Sequence, residues 1–169
     1  MTTPLPGDFA LTKIRGITGR AISAGQYLIG DGAPVQHALI YIGHGWIVQA
    51  MPGGAECIPL EDASPVVAWS TGKVPLTAAQ RVAIAHAACR LVGTPYSFLD
   101  FASLALERFH VRPRWVRDYV ASTGHLICSQ LVDVAYRRAG VELFDDGRIP
   151  GDVTPGDLYR LITERGSRG

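Results

Sequence analysis

The order of hydrophobic periods along this chain predicts an α+β fold. Strand-like runs fill the region up to Trp69, the period turns helical from Thr77 onward, and a Gly-His-Gly turn separates two β-rich runs at positions 35–51. With 169 residues and 47% hydrophobic content, the chain can bury one sizeable core. A single domain spanning 1–169 is expected, with a small antiparallel sheet packed against helices.

Each element has a local reason. Phe9 to Lys13 reads as a short strand after the Pro-Gly-Asp turn, and Gly16 to Gln26 as a small-residue stretch with room for a short helix. Val35 to Ile42 and Trp46 to Met51 are rich in β-branched and aromatic residues, and they flank Gly43-His44-Gly45 as the arms of a hairpin. Ala55 to Leu60 and Val66 to Trp69 are further short strands. Thr77-Ala-Ala-Gln80 is a capping box; Val82, Ile84, Ala85, Ala88, Cys89 and Val92 form the expected inward stripe, and Gly93 is placed to end the helix. On that stripe Cys89 is expected in the core.

Ser97-Phe-Leu-Asp100 opens a helix expected over Leu99 to Val111, before Pro113, and Trp115 to Ala121 holds a further turn or two. Cys128 to Ala139 reads as a helix with Leu131, Val132, Ala135 and Ala139 inward and Gly140 at its end. Thr154-Pro155-Gly-Asp157 caps a last short helix running through Ile162.

Composition narrows the function classes. The formal charge of +1, from 16 basic and 15 acidic residues, is too balanced for nucleic acid or an anionic membrane as the main partner. Cys57, Cys89 and Cys128 are odd in number and too widely spaced for a disulfide framework or a CxxC zinc pair, so a reducing compartment is the default. No histidine or cysteine cluster has ligand spacing, and neither a metal nor another cofactor is expected. The start of the chain lacks a basic segment followed by an apolar one, and no run nears a membrane span. A cytoplasmic location without membrane insertion is the resulting expectation.

The chemistry centres on Cys128 and His37. A thiol at a helix N-terminus feels the positive end of the helix dipole, which favours the thiolate nucleophile once an imidazole reaches it. The bland alternative is a buried small apolar residue at a helix start, the commonest fate of a lone cysteine. His37 shares a strand face with Val35, Leu39 and Tyr41. If Gly43-His44-Gly45 is a three-residue loop, Ile42 pairs with Trp46 and Leu39 faces Gln49, which puts Gln49 on the face of His37 and diagonal to it. A two-residue turn would put the two on opposite faces.

An orienting partner matters because His acts as a base only when the correct ring nitrogen faces the thiol. The chain contains no Asn, and Gln49 is the best candidate for that role. His125 is expected in a loop too near Cys128 to oppose it; His44, His86 and His110 read as surface residues. Arg108, Arg112, Arg114 and Arg117, interleaved with Phe109 and Trp115, form either a solvated helix face or a flap over a cleft.

Taken in order, His37-Ala-Leu-Ile-Tyr-Ile-Gly, Trp46-Ile-Val-Gln-Ala, Gly93-Thr-Pro-Tyr96, Ile127-Cys-Ser-Gln-Leu-Val and Val153-Thr-Pro-Gly-Asp-Leu resemble the circularly permuted NlpC-type, papain-like cysteine hydrolases of the YiiX-like group. Lecithin:retinol acyltransferase-like proteins share the permuted order. The resemblance covers nearly the whole chain, with a family-like opening at Gly7-Asp8. It implies a papain-like fold, Cys128 as nucleophile, His37 as base and Gln49 as third polar residue, where many relatives carry an acid.

Tyr96 would then reach the site as an oxyanion or substrate contact, beside the Cys128 backbone N–H; Ser129, next to the nucleophile, is a lesser candidate for that role. A peptide, peptidoglycan-like or lipid amide is the expected substrate of a monomeric amidase. A phage-encoded or separately exported wall enzyme would also fit a chain without an export signal. A lipid thioesterase or acyltransferase using the same residues, and a catalytically silent binding module, are the competing expectations.

Overall fold

The computed structural model describes residues 3–13, 33–51, 53–94, 125–148 and 153–164. Five strands, β1 (Phe9–Thr12), β2 (His37–Gly43), β3 (Trp46–Met51), β4 (Gly54–Pro59) and β5 (Val66–Trp69), form one antiparallel sheet in the order β4-β3-β2-β1-β5. Three helices follow among the described residues: α1 (Ala78–Cys89), α2 (His125–Arg138) and α3 (Pro155–Glu164). The class is α+β. Strand β2 begins at His37 rather than Val35, and a 3-10 turn at Leu60–Asp62 takes the end of the expected fourth strand. The helices expected over 16–26, 99–111 and 115–121 lie outside the described residues.

Alternation splits the sheet into two faces. On one, the row Phe9, Ile40, Val48 and its neighbours Leu11, Ala38 and Ala50 pack with Ile84, Ala88, Val132, Ala135, Tyr136, Leu158 and Ile162 from the three helices. On the other, Ala10, Leu39 and Ile47 form a smaller cluster with Tyr41, Ile58, Val66 and Trp69, and the Tyr41 and Trp69 rings meet edge to face at 6.1 Å.

Both helix starts with a side-chain lock follow the expected chemistry. Thr77 and Gln80 exchange the reciprocal bonds of a capping box at α1. At α3 the Thr154 hydroxyl accepts from the Asp157 N–H while Asp157 accepts from the Thr154 N–H.

The buried face of α1 differs from the expected stripe. Ile84, Ala85, Ala87, Ala88 and Leu91 are buried, whereas Val82, Cys89 and Val92 are exposed. Two apolar series, 84-87-88-91 and 82-85-89-92, both satisfy helical spacing. Packing on the sheet buries all of the first, which carries Leu91, and only Ala85 of the second, which leaves Cys89 outside.

The strand β1 is tied to the helices by a polar anchor. Asp8, fully buried, accepts from Arg81 Nη1 at 2.8 Å, from the Thr71 hydroxyl at 2.8 Å and from the Leu5 N–H at 2.9 Å. Beside it the Tyr136 hydroxyl donates to the Gly7 carbonyl at 2.7 Å. Gly7 has φ +86°, and a Cβ there would meet the Arg81 backbone at 3.0 Å, so the chain comes this close to α1 only without a side chain.

Candidate functional site

The hairpin that carries His37 reaches the required register by an unexpected route. Leu39 pairs with Gln49, Ile40 with Val48 and Tyr41 with Ile47, but the last pair is Gly43 with Trp46, not Ile42 with Trp46. The turn is therefore two residues long, with His44 at φ +53° and Gly45 at φ +80°, both left-handed as a type I′ turn requires. A bulge between Tyr41 and Gly43 adds one residue to β2 and restores the parity that a plain two-residue turn would have reversed. His37 and Gln49 consequently share a face.

They are bonded. The His37 Nε2 and Gln49 Oε1 atoms are 2.8 Å apart, with both residues buried. Gln49 in turn donates from Nε2 to Glu56 Oε1 at 2.8 Å. Glu56 lies directly across from Gln49 on β4, so Leu39, Gln49 and Glu56 form one cross-strand row with His37 diagonal to it. The amide orientation follows from its outer partner: a carboxylate only accepts, so the NH2 end faces Glu56 and the oxygen faces the ring. His37 then carries its proton on Nε2 when neutral, and Nδ1 is left with a lone pair.

Cys128 meets the main chain of β2 at Ala38. The Ala38 N–H is directed at the thiol sulfur, as are the N–H groups of Ser129 and Cys128 itself. Ala38 lies one residue beyond the last β2–β3 pair, Leu39 with Gln49. A strand N–H points within the plane of the sheet, so the sulfur sits beside β2 at the end of that ladder. The helix itself starts one turn before the expected position, at His125, which puts Cys128 at the end of the first turn rather than at its tip.

Burial sets the resting charges. Cys128 is fully buried and counted among the core residues, and desolvation pushes its thiol up to about 12, outweighing the three N–H groups that favour the thiolate. The same desolvation lowers the His37 pKa, against weaker upward pulls from the Gln49 hydrogen bond and the Glu56 charge. Neutral thiol and neutral imidazole are thus the favoured resting forms, in place of the thiolate expected at a helix tip. A neutral amide at position 49 gives an imidazolium less support than an acid would.

Of the other expected site residues, Ser129 has its hydroxyl engaged elsewhere. It is buried and donates to the Val153 carbonyl at 2.5 Å, tying α2 to the lead-in of α3, while the Ser129 main-chain N–H faces the thiol. Tyr96 and the segment Arg108 to Arg117 lie outside the described residues. His44 and His86 are exposed. Among the described residues no group of three or more metal-ligating side chains converges, and no helix is long and apolar enough to cross a membrane.

Glu56 is the residue that sequence reasoning missed. The signal was present in the short link between Met51 and Gly54: pairing those two residues closes a second hairpin and places Glu56 opposite Gln49. No family model, curated protein or solved structure matches the chain.

Proposed function

We propose that the chain is a cysteine-dependent hydrolase that cleaves an amide bond through a thioester acyl-enzyme. The reading is carried by one observation: a buried imidazole whose Nε2 is held by Gln49, set one residue from the main-chain N–H that faces the Cys128 sulfur. The resemblance of the ordered motifs to permuted NlpC-type, papain-like hydrolases supports the same assignment, with a wall peptide or other acyl-amino linkage as target.

In this mechanism the Cys128 sulfur attacks the carbonyl carbon while His37 Nδ1 takes the thiol proton, so the charged pair forms only during attack. Main-chain N–H groups at Cys128 and Ser129, with Tyr96, hold the developing oxyanion. The imidazolium returns its proton to the departing amine as the C–N bond breaks, leaving the acyl thioester. A water, deprotonated by His37, then releases the acid and regenerates the thiol.

A second reading, a catalytically silent binding module, is favoured by the complete burial of Cys128. The two separate on one experiment. The protein is incubated with iodoacetamide at neutral pH, and with a wall-type peptide and a lipid amide, and each cysteine is mapped by mass spectrometry. The exposed Cys57 and Cys89 serve as internal standards. The hydrolase reading expects cleavage and a hydroxylamine-labile acyl adduct on Cys128. Alkylation of Cys57 and Cys89 alone, without cleavage or adduct, overturns it in favour of the silent module.

A further inference from the structure

We propose that Glu56 is a positioning residue for His37, acting through Gln49 to fix which ring nitrogen is the base. The role rests on the hydrolase reading given above. Gln49 alone cannot fix the tautomer, because its amide presents a donor at one end and an acceptor at the other and fits the imidazole either way round. With its NH2 turned to the ring it would donate to Nε2, and the ring proton would move to Nδ1, leaving no lone pair there for the thiol proton. Glu56 removes the ambiguity from outside: it can receive only the NH2 end, 2.8 Å away, which commits the amide oxygen to the ring.

The placement suits the task. Glu56 is exposed and Gln49 is buried, so the carboxylate keeps its hydration while the amide carries its orientation inward. Register holds the relay in place, since Gln49 and Glu56 are directly paired across β3 and β4. The Glu56 charge also pulls the His37 pKa upward, partly offsetting burial. An acid thus stands one strand beyond the amide, linked to the imidazole through it.

The test reads the ring directly. Ring-nitrogen and ring-carbon NMR shifts of the labelled full chain are recorded above the His37 titration, with His37 assigned by loss of its signals in His37→Gln. The parent is expected to show the Nε2–H tautomer. Glu56→Gln keeps the shape of the side chain but can donate as well as accept, and it is expected to give a mixture, with kcat reduced about two- to tenfold and KM unchanged.

The exchange Gln49→Glu with Glu56→Gln restores a unique pattern, with Gln donating to Glu and Glu accepting from Nε2–H. It is expected to recover the single tautomer, since a carboxylate at position 49 accepts only from Nε2–H, and that carboxylate also raises the His37 titration midpoint. A Glu56→Gln ring with the parent's tautomer overturns the role of Glu56 whatever the activity. A changed tautomer in Glu56→Gln, together with a parent protein that neither cleaves nor acylates, overturns the hydrolase reading instead, with the relay intact.

Discussion

If the Cys128 thiol is neutral and buried at rest, raising the pH must destabilise the fold, by an amount set by its shift. In the unfolded chain the thiol ionises near its ordinary value of 9.0, whereas in the fold it holds its proton until about 12. Between those values the native state binds more protons than the unfolded state, so stability falls as pH rises, by at most about 1.4 kcal/mol per pH unit. Going from about pH 8 to about pH 10.5 therefore removes roughly 2 kcal/mol that Cys128→Ala does not lose. For a domain of this size that is a difference of about 4–8 °C in melting temperature.

Urea unfolding of parent and Cys128→Ala at fixed pH values isolates the effect. Other groups that ionise at high pH, including the buried Tyr136 whose pKa is also raised, are common to both chains and cancel. Parallel stability curves, or thiolate absorbance from Cys128 appearing at or below its ordinary value, would refute the buried neutral thiol. Such a result would favour a thiolate–imidazolium pair at rest.

Two further outcomes follow from packing. Cys128→Ser buries a hydroxyl among core side chains and is expected to cost about 1–3 kcal/mol, while the exposed Cys89→Ser stays within about 0.5 kcal/mol of the parent; unfolding free energies in the reverse order would mean that the α1 face is misassigned. Gly7→Ala forces a left-handed backbone and a 3.0 Å approach to Arg81, and is expected to lower stability by about 1–3 kcal/mol; an unshifted urea midpoint would contradict that close packing.

The elements most legible in the sequence are those whose signal is local. The capping box at Thr77 and the Thr154 start each depend on residues within a few positions of one another, and each forms; the hairpin turn forms where expected, with His44-Gly45 as its two-residue loop. Gln49 was within reach for the same reason, because a single hairpin register decides its partner. Glu56 needs two hairpin registers in succession, each of which must be right for it to face Gln49.

The inward face of α1 is ambiguous at the level of periodicity, because an apolar arc wide enough for two stripes contains no instruction about which one meets a sheet. The ionisation state of Cys128 is less legible still. Helix-end electrostatics can be read from position, but desolvation comes from the core that the sheet and the helices bury together, and here it is the larger effect.

The bulge at Ile42 has a consequence for how this hairpin can change over evolutionary time. Hairpin tips ordinarily absorb insertions and deletions freely. Here the extra residue on β2 is what keeps His37 on the face of Gln49, and losing it would turn His37 to the opposite side while leaving the turn itself intact. Length variation at the tip of this β-arm is thus constrained to steps that conserve parity, a restriction that falls on residues with no chemistry of their own.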